Sequence, residues 1–143
     1  MAKFDMQHGV KPYSAFNTYE FTGNEAKAGN IIDTLGYESV LLVFQSATLT
    51  DGVYTPSIED GDDSALSDAA AVDTNFLLDS YADSTFVDTE DNTVKTLGLV
   101  NKKRYFKLTI TSSVVTSGGT MTVGVILGNA LHNPTQGENS PTG

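Results

Sequence analysis

Alternation of polar and apolar positions, rather than a helical repeat, organises most of this chain. In RYFKLTI (104–110), Phe106, Leu108 and Ile110 fall on one face and Tyr105, Lys107 and Thr109 on the other. That two-residue period is the mark of a half-buried strand. The run YESVLLVFQ (37–45) is β-branched and apolar, uninterrupted from Val40 to Phe44, which predicts a strand buried on both faces. Behind it, SATLTDG carries the tight-turn pair Asp51-Gly52, and VYTPSIED is predicted to return as the second strand of a hairpin. Pro56 confines that second strand to a sheet edge or a bulge. TVKTLGLV from Thr93 and MTVGVILG from Met121 add further strands, joined by the polar connections NKK and SSVVTSGGT. Strand, Gly turn and strand at 37–58 recur as the same arrangement at 104–128.

The remainder is less regular. Residues 1–18 scatter Phe4, Tyr13 and Phe16 among Gly, Lys and Pro12 with no period, and are expected to form an extended N-terminal arm. Rings in such an arm need something to bury against: either their own domain or a neighbouring subunit. Residues 19–131 then form a single β domain with an acidic insertion at about 59–93. Within the insertion, the Ala-rich segment Ser64 to Val72 is expected to form a short helix capped by Ser64. Phe76, Leu77, Leu78, Tyr81 and Phe86 would anchor the excursion onto the sheets. The Pro- and Gly-containing stretch 132–143 is expected to fray as a flexible C-terminal tail. Many short strands with at most one short helix predict an all-β fold, an antiparallel sandwich or barrel of jelly-roll or other Greek-key type.

Composition narrows the function classes. At 143 residues one domain is expected, and 39% hydrophobic against 18% charged residues is too apolar for global disorder. Eighteen acids against eight bases give a formal charge of −10 and argue against nucleic acid as a partner. No apolar run is long enough to span a membrane, and MAKFDMQHGV lacks the apolar core of a signal peptide. Cysteine is absent, which removes disulfides, thiolate metal sites and thiol nucleophiles. His8 and His132 both lie near the ends, so no triad or zinc centre is nominated, and the chain is not expected to be an enzyme.

Charge is unevenly placed. No Lys or Arg occurs between Lys27 and Lys95, while Lys102, Lys103 and Arg104 cluster before a strand that opens with Tyr105. The basic turn is a candidate partner contact. Its plainer role is a charged tip that guards a sheet edge. Glu59, Asp60, Asp62 and Asp63 suggest a calcium loop, but their spacing is not that of a Ca²⁺-binding loop, so a solvated acidic loop is the expectation. No cofactor is predicted.

Three stretches taken together, GYESVLLVFQSATLTDGVYTPSIEDGDDSA (36–65), DNTVKTLGLVNKKRYFKLTIT (91–111) and MTVGVILGNALHNPT (121–135), resemble a group of small proteins that tailed bacteriophages encode beside their major capsid protein. The resemblance implies a head decoration, or cement, protein on the outside of the expanded shell. It implies the major capsid protein as partner and trimers at three-fold and quasi-three-fold positions. No catalytic motif comes with it. Phe4, Tyr13 and Phe16 in the arm, and Lys102, Lys103 and Arg104 in the basic turn, are the candidate contacts. Alternatives are a tail-tube, head–tail connector or fibre-associated domain, and a carbohydrate-binding module stacking sugars on Tyr37, Tyr54, Tyr81 or Tyr105.

Overall fold

Nine strands fold into two antiparallel sheets in a computed structural model that describes residues 6–100 and 103–130. They are β1 (Val10–Phe21), β2 (Ala26–Asp33), β3 (Tyr37–Leu49), β4 (Val53–Gly61), β5 (Ala70–Ala71), β6 (Phe86–Val87), β7 (Val94–Leu99), β8 (Tyr105–Ser113) and β9 (Gly119–Ala130). The first sheet has the order β1-β9-β3-β7 and the second β2-β8-β4-β5, with β6 also on β4. Apart from β4 to β6, each strand lies in the opposite sheet from the one before it. This is the order of a jelly roll. The tail 132–143 lies outside the described residues.

Between the sheets, Phe16, Phe21, Phe44, Tyr54, Phe86 and Phe106 pack with Leu42, Leu97, Leu108, Val125 and Leu127, all at 0–1% exposure. Strand β8 follows its alternation, with Phe106, Leu108 and Ile110 inward. Strand β3 differs from expectation. Val40, Leu42 and Phe44 point into the core, but Leu41 is 39% exposed and Val43 half-buried, so this chain covers only one face of the strand.

The two expected hairpins are arches. Strands β3 and β4 do not pair: β3 lies between β9 and β7, while β4 pairs with β8. Turns 50–52 and 114–118 therefore each cross from one sheet to the other, side by side. Asp51 joins them. Its carboxylate accepts the N–H groups of Thr116 and Ser117 at 2.9 Å and of Gly118 at 2.8 Å. Thr50 N–H donates to the Gly118 carbonyl, and the Tyr54 hydroxyl to that of Asp51. The third crossing, between β1 and β2, is tied in by Ser112, whose hydroxyl donates to Gly23 O, and by Asn24, which accepts Val115 N–H. Gly118 has φ +98°, and a Cβ there would overlap the Phe21 carbonyl.

No helix forms at Ser64–Val72, contrary to the propensity. Asp63 accepts N–H groups from Ala65 and Ser67, and Asp68 accepts them from Asp62 and Asp63. Side chains thus offer these amides an alternative to helical carbonyls. Leu66 takes φ +56°, and Ala70–Ala71 pairs with Glu59–Asp60. Further on, Lys95 holds the excursion down, its ammonium bonded to Thr85 O and Glu90 above the Phe86 ring. Pro56 meets its constraint: on the side away from β8, strand β4 is paired only towards its ends, by β6 and β5, and Pro56 lies between. Of the expected anchors, Leu78 stays outside at 68% exposure, while Leu77 and Phe86 enter the core and Phe76 and Tyr81 pack against it.

Two outcomes follow for stability. The N–H groups of Gly118, then Ser117 and Thr116, hold the Asp51 carboxyl below its ordinary range. A lowered folded-state value contributes stability above about pH 4 that is lost as pH falls through the folded value. Asp51→Asn should therefore melt lower than wild type at pH 7, with the gap narrowing as pH falls below about 4 in thermal melts; parallel pH curves would contradict the arch account. Gly118→Ala should lose at least about 3 kcal/mol in denaturant titrations, from positive φ plus overlap. Gly124→Ala, where an added Cβ meets nothing nearer than 3.9 Å, should stay within about 0.5 kcal/mol of wild type.

Candidate functional site

Of the arm residues, Phe4 lies outside the described residues. The expected arm 1–18 is shorter than its boundary, because from Val10 onward the chain is edge strand β1, paired with β9. Register shifts between Ser14 and Phe16 and between Phe16 and Tyr19 bulge the strand and erase its alternation. Ala15 and Phe16 consequently both point inward. Phe16 stacks on Phe21 with centroids 6.1 Å apart and is 1% exposed, so its ring serves this domain's own core. Tyr13 is 40% exposed, at the seam where β1 meets Ile31 of β2, with the Lys11 ammonium 5.5 Å from its ring centroid.

Of the basic turn, Lys102 lies outside the described residues. Lys103 donates its backbone N–H to Asp60 at 2.9 Å and leaves its exposed side chain near Asp68. Arg104 makes a two-pronged pair with Asp33, Nε to Oδ1 and Nη2 to Oδ2 both at 3.0 Å, and covers the Tyr105 ring at 4.8 Å. The hydrogen bond from Arg104 holds the Asp33 carboxyl below its ordinary range and raises the guanidinium in return. Both side chains are nearly half exposed, so solvent screens the pair and it contributes little to stability. Its value is positional: Arg104 O also accepts from Thr34 N and Oγ1, joining the β7–β8 and β2–β3 connections. Lys95 pairs with Glu90, and Lys107 lies 4.0 Å from Glu59. Among the described residues, Lys95, Arg104 and Lys107 are thus matched by acids of the same chain.

The acids are similarly committed. Asp63 and Asp68 close turns, Asp73 accepts Asn75 N–H, Asp83 accepts from Ser80, and Asp91 accepts Leu49 N–H. Among the described residues, no group of three or more acids or histidines is arranged around a common point. The tyrosines offer few stacking platforms. Tyr54 is interior, the Tyr81 hydroxyl accepts Ile58 N–H against the core, and Tyr105 lies under Arg104.

The surface that the pattern did not single out is the outer face of the first sheet. Register sets Pro12 beside Ile126, Ile126 beside Leu41 and Leu41 beside Gly98 in one row across all four strands. Leu78 lies over Gly98 at the far edge. In the next row Gly124, Val43 and Thr96 are neighbours. The second sheet differs: its outer rows pair Thr55 with Thr111, Ser57 with Thr109 and Glu59 with Lys107. The second sheet's outer face is hydroxylic and charged; on the first, the rows from Ser39 to Gln45 carry no charge and centre on Leu41, Val43 and Ile126, while Glu20 lies beyond them beside Thr120. The legible signal was the apolar character of both faces of 37–45.

No protein-family model matches the chain, and no curated protein matches it in sequence. Solved structures do share its architecture. The PBSX exported protein XepA superposes with a TM-score of 0.52 at 14% identity, over 92% of this chain and 42% of that one. The SPBc2 prophage-derived protein YomS gives 0.48 at 13% identity over 82% and 91% of the two chains. A chain of infectious bursal disease virus, Gx strain, gives 0.43 at 16% over 87% and 33%. The XepA likeness is one of fold, and this chain spans less than half of that protein.

Proposed function

We propose that this chain is a structural protein of a phage virion that binds the outer surface of the expanded head as trimers at three-fold and quasi-three-fold positions and stabilises the shell. The observation that carries the reading is a jelly roll many of whose described carboxylates serve its own turns, while the middle rows of one sheet's outer face carry no charge and centre on Leu41, Val43 and Ile126. Such a body is built to lie against other surfaces rather than to transform a small molecule. The sequence resemblance across 36–65, 91–111 and 121–135 supplies the shell as partner. The shared fold with XepA agrees with this without adding to it, since one fold hosts many functions.

Stabilisation would act by mass action. A protein that binds only the assembled shell adds about 2.7 kcal/mol per site at a free concentration of 100 times Kd, and many sites sum. Among the described candidates, Tyr13 and the Lys103 side chain are exposed, whereas Phe16 and Arg104 have partners in their own chain; Phe4 and Lys102, outside the described residues, complete the proposed contacts.

Purified protein mixed with undecorated, expanded heads should co-sediment to saturation and appear in images as density at three-fold positions. Deleting residues 1–5 should weaken that binding at least about tenfold with an unchanged melting temperature, whereas deletion as far as residue 16 should cost stability by removing half of β1. Failure to bind heads, with the protein found in tails or as free rings, would move it to a tail-tube or connector role.

A further inference from the structure

We infer that the outer face of the β1-β9-β3-β7 sheet is a self-association surface, on which a second copy of this chain packs face to face. Charge selects the occupant. Two chains of −10 each repel, and they approach at least cost through a surface that carries no charge of either sign, which on this face is the stretch short of Glu20. Between the rows of Ser39 and Gln45 the outward positions are aliphatic, Gly, Pro, Ser, Thr and Gln, with Leu41, Val43 and Ile126 at the centre. An uncharged flat face also matches itself, as a two-fold contact requires.

Size agrees with a weak pair. Four strands at about 4.8 Å spacing and eight residues of β9 at about 3.3 Å give about 500 Å² in plan per copy. The pair then covers about 1,000 Å², the lower limit for a specific interface and the size of a weak, transient contact. Gly124 keeps the middle of the face low: an added Cβ there would meet no atom nearer than 3.9 Å. Sheets packed face to face sit about 10 Å apart, which places Leu41 and Ile126 of each copy in contact. A flat, self-matching face closes with two copies, not three, so this contact is separate from the proposed three-fold cluster and would link copies of adjacent clusters on a shell.

The chain has no cysteine, which makes single-cysteine variants unambiguous. Sedimentation equilibrium of wild type in the absence of heads should show a concentration-dependent dimer that strengthens as salt rises from about 50 to 500 mM, because repulsion between the acidic bodies is screened. Leu41→Asp should weaken the dimer at least about tenfold with an unchanged melting temperature. Under mild oxidation Gly124→Cys should cross-link to dimers, and Thr109→Cys, on the opposite outer face, should not. A wild type that stays monomeric at about 1 mM, a Leu41→Asp dimer as tight as wild type, or equal cross-linking from both positions would overturn the inference. So would a monomer in which heads alone protect Gly124→Cys from maleimide, an outcome that assigns the face to the shell and leaves the virion role standing.

Discussion

Crossing between sheets is the constraint on which the rest of this structure depends. Every connection between long strands leaves one sheet for the other, so its turn has no ladder to satisfy the backbone. At one end, three such turns solve the problem together. Asp51 takes three N–H groups from the neighbouring arch, Ser112 bonds to the β1–β2 turn, and Gly118 passes directly beneath Phe21 O. Because β3 pairs with β9 and β4 with β8, fixing these turns also fixes both ladders. At the other end Arg104, Asp33 and Thr34 play a similar part with weaker, more exposed bonds.

This arrangement explains an acidic composition that solubility alone leaves unexplained. Loops that wrap a sandwich expose unpaired N–H groups, and a short carboxylate is an effective local acceptor for two or three of them. Asp51, Asp63 and Asp68 each do this, Asp83 accepts the N–H and hydroxyl of Ser80, and those bonds hold all four carboxyls below the ordinary carboxylate range. The chain thereby gathers negative charge in its turns, while the middle rows of the first sheet's outer face, from Ser39 to Gln45, carry none.

Much of this was legible from residues alone, and the losses have physical causes. The alternation in 104–110 specified β8, its inward triad and the all-β class. The arches were invisible because Asp51-Gly52 and Gly118-Gly119 favour tight reversal whether or not the flanking strands then pair. Bulges concealed β1: two register shifts put Ala15 and Phe16 on the same side, and a strand without alternation reads as an arm. At 64–72, alanine propensity lost to the Asp63 and Asp68 side chains, a tertiary choice that composition does not reveal. Of the candidate contacts, Phe16 and Arg104 were sensible by type, an aromatic in an irregular stretch and a cation before a strand. In the fold Phe16 is buried in the core and Arg104 pairs with Asp33. The apolar run 37–45 did hold the signal of a second covered surface, since a strand that faces water on one side rarely carries Leu41 and Val43 there.

The central claim is that this jelly roll is a bulk component of a particle surface. Quantitative mass spectrometry of purified virions, separated into heads and tails, tests it most directly. The account predicts the chain in the head fraction at a fixed ratio to the shell protein, amounting to hundreds of copies per particle on the order expected of surface decoration. Absence from virions, or a handful of copies confined to the tail, would contradict it.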